Sequence, residues 1–176
     1  MAQADKRKYL EVLKTELKKK WPENKTVNIV CHGHSVPAGY FASPLVDTFN
    51  AYPHLLHRGL KERYPCAVIN VIVTAIGGEH SESGAERFER DVLNHNPAVI
   101  TIDYALNDRK LGLKKAERAW KIMIEKALAK DIKVILLTPT MDNSGMADTR
   151  AEQWVLIKQH AKQIRSLAAR YGIGLA

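Results

Sequence analysis

The chain is short of cysteine and of long apolar runs, and it carries fewer acidic than basic residues; each shortage removes a class of protein. Two cysteines in 176 residues exclude a small scaffold built on disulfides. Cys31 and Cys66 fall at the end of one strand pattern and the start of the next. In neighbouring parallel strands those are opposite ends of the sheet, roughly 15–20 Å apart and beyond the ~7 Å reach of a disulfide, so two free thiols are expected. No run approaches the eighteen or so continuous apolar residues of a membrane helix, and the N-terminus carries charge where a signal peptide would carry an apolar segment. The sequence as written therefore reads as soluble, unexported and without membrane insertion. A leader already removed would leave the same text, so the compartment, secreted or periplasmic in that case, stays open. Glycine, proline and serine are scattered with no low-complexity tract or internal repeat, which excludes a disordered or repeat-built chain.

What is present suits one globular domain. Hydrophobic residues make up 45% and charged residues 26%, and the length allows one sizeable core but is too short for two ordinary domains. The net charge of +8 raises the question of a nucleic-acid partner. Its distribution argues against one. Much of it sits in the first segment, from Lys6 to Lys25, interleaved with Asp5, Glu11, Glu16 and Glu23 as on a solvated helix face, and no binding motif accompanies it.

Along the chain, Leu10, Leu13, Leu17 and Trp21 recur at helical spacing and predict an N-terminal amphipathic helix within residues 1–25. Val27 to Cys31 is a short apolar run leading into a loop with Gly33, Pro37 and Gly39, read as a buried strand entering an active loop. Ser43-Pro44 offers an N-cap and a first-turn proline for a helix reaching about Tyr64. Ala67 to Val73 is a second strand. The Gly77-Gly78 loop follows, and Ser83 to Glu86 has the spacing of a capping box opening a helix that ends before Pro97. Ala98 to Tyr104 is a third strand. Leu113, Ala116, Trp120, Ile124 and Ala127 mark another helix, and Ile132 to Thr138 a fourth strand. Trp154, Ile157, Ala161, Ile164, Ala168 and Tyr171 mark a last helix, and Ile173 to Ala176 the start of a fifth strand. Trp120 and Trp154 lie on these apolar stripes and are assigned to the core. Continuous apolar strands alternating with helices predict an α/β, three-layer, doubly wound parallel sheet. Ligands of such sheets bind at the carboxyl ends of the strands, so the loops after Cys31, Val73, Tyr104 and Thr138 are where chemistry is expected.

Three of those loops carry suitable groups. His32-Gly33-His34-Ser35-Val36-Pro37-Ala38-Gly39 sets an isolated serine among small residues, which suits a nucleophile. Ile76-Gly77-Gly78-Glu79-His80-Ser81 offers a glycine N–H that no Cβ shields, and Ala105-Leu106-Asn107-Asp108 a side-chain amide; both suit donors to a developing negative charge. Asp103 and Tyr104 are given no role beyond strand-end residues.

These residues resemble those of GDSL-like (SGNH) esterases and lipases. The loop from Gly33 to Gly39 is similar to that family's first block, Gly78 to the glycine of the second, and Asn107-Asp108 to the Asn-Asp of the third, and the likeness spans almost the whole chain. The resemblance implies a flavodoxin-like sheet and a serine hydrolase of carboxylic esters that forms an acyl-enzyme on Ser35. The backbone N–H groups of Ser35 and Gly78 and the Asn107 amide would hold the oxyanion. It also implies a short acyl group such as acetyl, with acetylated carbohydrate among the candidate substrates, and a small-molecule ester as the partner. A serine acyl-enzyme requires no cofactor, and no dinucleotide or phosphate-loop motif is present.

Three departures qualify the likeness. His34 stands where the family has aspartate before the serine, and Ala105 where it has a glycine two before the asparagine. The family's fourth block, an Asp-x-x-His segment supplying general base and orienting acid, follows the fifth strand, whereas the sequence ends at Ala176. The expectation is a domain without that block, slow or inactive unless another group serves as base. His34 and His80 are weak candidates, since neighbouring side chains usually diverge and loop histidines usually bond locally. Two other functions compete. His32 and His34, with His80 or Asp108, suggest a metal-dependent hydrolase, although no companion motif completes the site. A ligand-binding remnant that keeps the pocket without turnover is the third reading.

Overall fold

The computed structural model describes residues 4–140 and 151–176. Five parallel strands form the central sheet: β1 (Thr26–Gly33), β4 (Val68–Val73), β5 (Val99–Asp103), β6 (Lys133–Leu136) and β7 (Gly174–Leu175), in the order β4-β1-β5-β6-β7. The chain passes from β1 outward to β4, then returns across β1 to β5 and continues one way. This is the flavodoxin-like winding, and its switch point lies between β1 and β5. Two shorter strands, β2 (Tyr40–Ala42) and β3 (Leu45–Val46), make a separate antiparallel hairpin after β1.

The strand residues dictate two cores. In β1 successive side chains face opposite ways, so Val27 and Ile29 enter one cluster and Val30 the other. Leu17 of α1 (Glu11–Leu17) and Leu56 and Leu60 of α3 (Tyr52–Arg63) cover the first face. The second face is covered by α4 (Ser81–Glu86), α5 (Phe88–Asp91), α7 (Leu113–Leu128) and α8 (Ala151–Tyr171), through Phe88, Trp120, Met123, Ile124, Ile164 and Leu167. All five residues of β5 are buried, as a central strand covered on both faces requires. Trp120 is buried as expected, and Trp154 is half-buried with Lys158 over its ring. Cys31 is buried, Cys66 exposed, and both are free thiols. Among the described residues no helix is long and apolar enough to cross a membrane.

Three local expectations are corrected. Residues 43–51 form no α-helix: Ser43-Pro44, with a cis peptide bond, joins the hairpin strands, Thr48–Asn50 makes a single 3-10 turn, and α3 begins at Tyr52 with Pro53 in its first turn. Ser-Pro serves a turn as well as a helix start, and Tyr52-Pro53 provides the first-turn proline instead. The helix expected from Ser83 starts earlier, with His80 as N-cap accepting from the Ser83 N–H. It breaks at Arg87 and resumes as α5. The N-terminal helix is confined to α1, and Trp21, expected on its apolar stripe, is 85% exposed beyond its end.

Candidate active site

Ser35 opens α2 (Ser35–Ala38) immediately past β1, and it is half-buried. The turn that delivers it depends on a close approach of two strands. A Cβ on Gly33 would lie 2.5 Å from the Asp103 carbonyl oxygen and 2.8 Å from Pro37 Cγ, so only glycine lets the ends of β1 and β5 press together there. The His34 N–H then donates to the Asp103 carbonyl at 3.1 Å, carrying the β1 pairing one residue past the strand.

The other two loops close on this point. Ile76 N–H donates to Gly33 O at 3.0 Å, tying the segment after β4 to the end of β1. The next residues form a turn closed by Glu79 N–H to Ile76 O, in which Gly78 has φ +80°. A type II turn needs that conformation at its third position, and glycine adopts it without a Cβ penalty. Asn107 sits in α6 (Ala105–Leu111) just past β5, and its amide Nδ2 donates to the Glu79 carbonyl at 2.8 Å. One of the two amide hydrogens is thereby used to fasten α6 to the Gly78 turn. Ser35, Gly78 and Asn107 thus lie on three interlocked loops at the carboxyl ends of β1, β4 and β5. Tyr40 of the hairpin lies against Gly77, its ring 3.1 Å from where a Cβ would stand. A cavity of about 360 Å³ flanks α2, lined in part by Pro37, Ala38, His54, His57 and Val73.

A buried imidazole lies under Ser35. His34 Nδ1 is 3.3 Å from Ser35 Oγ and also accepts the Val36 N–H at 3.3 Å. An imidazole nitrogen that accepts carries no proton, so the hydrogen resides on Nε2. Nε2 is 3.3 Å from Asp103 Oδ1, with side chains 1% and 4% exposed. The two atoms are within ion-pair distance but not aligned for a hydrogen bond, and neither has another aligned partner among the described residues. The sequence reading gave Asp103 no role. An acidic residue at the carboxyl end of a central parallel strand was the available signal.

A second polar network, also missed from sequence, supports the Gly78 turn from below. Arg87 donates to Glu79 Oε1 at 2.7 Å and to the Thr74 carbonyl at 2.7 Å. Tyr104 O–H donates to Glu79 Oε2 at 2.8 Å, and His32 meets Thr74 Oγ1 at 2.9 Å, Gly84 O at 3.1 Å and Tyr104 Oη at 3.0 Å. Burial, reinforced by the nearby Arg87 charge, pushes the His32 imidazole down to about 4, so it is neutral near neutral pH. Glu79, Arg87 and Tyr104 hold a loop in place.

The metal reading finds its residues occupied elsewhere. His32 belongs to the network just described, His34 faces Ser35 and Asp103, and His80 caps α4. Asp108 is buried and accepts from the Ser81 N–H at 2.8 Å and from Trp120 Nε1 at 2.7 Å. Among the described residues no three histidine, cysteine or acidic side chains are grouped to hold a metal ion.

A model of the GDSL-like lipase/acylhydrolase family matches residues 31–176. No curated protein sequence matches the chain. Among solved structures, it is similar to a protein of the G-D-S-L lipolytic family from Desulfitobacterium hafniense, with 22% identity, 85% of this chain and 75% of that one covered, and a TM-score of 0.68. A GDSL-like lipase structure from Parabacteroides merdae is similar at 17% identity, with 85% and 76% covered and a TM-score of 0.70. A two-domain esterase active on acetylated mannans is similar at 20% identity, with 92% of this chain and 41% of that one covered and a TM-score of 0.70.

Proposed function

Because the chain belongs to the GDSL-like lipase/acylhydrolase family, we propose that it hydrolyses carboxylic esters by transferring the acyl group to Ser35. The observation that carries this reading is the interlocking of the Ser35, Gly78 and Asn107 loops at the switch point of the sheet, made by Ile76 N–H to Gly33 O, His34 N–H to Asp103 O and Asn107 Nδ2 to Glu79 O. Such an arrangement gives an attacking hydroxyl and fixed donors a common target. Ser35 Oγ attacks the ester carbonyl. The N–H groups of Ser35 and Gly78 and the second amide hydrogen of Asn107 take the negative charge that develops on the carbonyl oxygen. Donors already held by backbone bonds need no reorganisation when that charge forms, which is the source of their effect.

The substrate class we propose is an ester of a short acyl group, acetyl first, on a carbohydrate. The activity of the similar two-domain esterase on acetylated mannans supports the choice. The chemistry needs neither metal nor nucleotide.

Hydrolysis of p-nitrophenyl acetate by the unsubstituted chain, Ser35→Ala and Asn107→Ala tests the reading, with release of acetate from acetylated manno-oligosaccharides as the second substrate. Ser35→Ala is expected to remove turnover and Asn107→Ala to lower it by about 10²–10³-fold. Unchanged rates in Ser35→Ala would refute the nucleophile, and a negligible loss in Asn107→Ala would remove that residue from the oxyanion site.

A further inference from the structure

We propose that Glu79 is the positioning residue for Asn107: its buried carboxylate, clamped by Arg87 and Tyr104, holds the peptide that turns the Asn107 amide hydrogen toward substrate. This inference rests on the reading of Asn107 as an oxyanion donor. Glu79 directly follows Gly78 and bonds through all of its polar groups. Its N–H closes the turn on Ile76 O at 3.3 Å. Its carbonyl accepts Asn107 Nδ2 at 2.8 Å. Its side chain, 7% exposed, is held by the Arg87 fork, with Nε on Oε1 at 2.7 Å and Nη2 on Oε2, and by the Tyr104 hydroxyl at 2.8 Å.

These contacts close a ring. Tyr104 is the residue before α6, and its carbonyl accepts the Asn107 N–H at 3.1 Å while its hydroxyl donates to the Glu79 carboxylate. One residue thus joins the start of the helix carrying Asn107 to the side chain of the residue whose carbonyl holds the Asn107 amide. The direction of that amide follows. A carbonyl oxygen only accepts, so Asn107 must turn its nitrogen toward Glu79, which fixes where its second hydrogen points. Without that anchor the terminal amide torsion is broad and roughly two-fold, and the amide would be free to turn its oxygen toward the developing negative charge.

Two features set the clamp apart from ordinary packing. A Cβ on Gly84 would lie 2.3 Å from Tyr104 Oη, so it is the bare glycine that admits the phenol. Arg87 also reaches past Glu79 to the Thr74 carbonyl at 2.7 Å, tying the clamp to the segment just after β4. An ion pair with side chains 10% and 7% exposed returns little beyond the cost of its own desolvation, so what Arg87 and Glu79 supply is a fixed geometry. Burial, with the neighbouring Glu79 charge, pushes the Tyr104 phenol up, so it stays protonated and donates near neutral pH.

The test is a double-variant cycle on the 176-residue chain. Turnover of p-nitrophenyl acetate and melting temperature are measured for the unsubstituted chain, Glu79→Gln, Asn107→Ala, the two combined, and Ser35→Ala. Glu79→Gln keeps the size of the side chain and puts an NH2 among groups that donate. It is expected to lower kcat by about 10–10²-fold with KM retained. With Asn107→Ala already in place, the same change is expected to cost no more than about 2-fold, because the amide it positions is gone. A merely structural role would lower the melting temperature and cost the same in both backgrounds. Tyr104→Phe, which deletes one donor and keeps the ring, supplies a second cycle with the same expectation should Glu79→Gln fold poorly. Losses that agree within about 2-fold in the two backgrounds overturn the positioning role while the Asn107 donor stands. If Asn107→Ala costs nothing, or the unsubstituted chain turns over no faster than Ser35→Ala, the reading beneath fails and this inference falls with it.

Discussion

His32 and His34 stand two residues apart at the end of one strand, and their surroundings give them different work. His32 is enclosed by Thr74, Gly84 and Tyr104 and held neutral by burial, down to about 4. In the unfolded chain it protonates near ~6.5. Between those values the unfolded state binds more protons than the folded one, so stability falls as pH drops from about 6.5 to about 4, by up to roughly 3 kcal/mol. His160, also lowered by burial, acts the same way, whereas Asp108, raised by burial, takes up its proton early in the folded state and opposes the trend. Urea midpoints at pH 7 and pH 5 are expected to show the loss, and His32→Gln to shrink it; an equal loss in that variant would contradict the assignment. That Ser35, Gly78 and Asn107 follow successive strands was legible from sequence, because each comes shortly after a short apolar run. The partnership of His34 with Asp103 was not, because it depends on a ring folding back over a helix turn and on a strand contact that only Gly33 permits. Sequence spacing carries neither.

At the level of elements, helices on the second face are locked to the site by single polar contacts inside apolar packing. Gly84 brings α4 against Tyr104 so closely that a Cβ would lie 2.3 Å from the phenol oxygen. Asp108 of α6 joins the start of α4, through the Ser81 N–H, to Trp120 of α7. Trp120→Phe would leave a buried carboxylate short of a donor, and a loss of about 1–3 kcal/mol is expected in denaturant unfolding. The Asp108 carboxyl, already raised by burial, would rise further without that donor. Protonation relieves the penalty, so the loss at pH 8 should exceed that at pH 5; equal losses would show that Asp108 does not need the indole. The helical stripes of α7 and α8 were readable because their apolar period is long and regular, with Ala116, Trp120, Ile124, Ile157 and Ile164 all buried. The hairpin Tyr40–Val46 was not, because Tyr40, Phe41, Leu45 and Val46 are exposed apolar residues around a Ser-Pro that suits either a turn or a helix.

For the whole molecule, the sheet order places its switch point between β1 and β5, and the loops that carry Ser35, Gly78 and Asn107 interlock beside it. Alternation of strand and helix patterns was enough to predict the three layers. The order β4-β1-β5-β6-β7 needed the structure and the family likeness, since apolar runs do not state their neighbours. We propose that this junction makes Ser35 a nucleophile. Exposure of the chain to an organophosphate ester, followed by peptide mapping, tests it most directly. One covalent adduct is expected, on Ser35, absent from Ser35→Ala and prevented by prior unfolding in urea. No adduct, or an adduct on another residue with Ser35 unmodified, would contradict the claim.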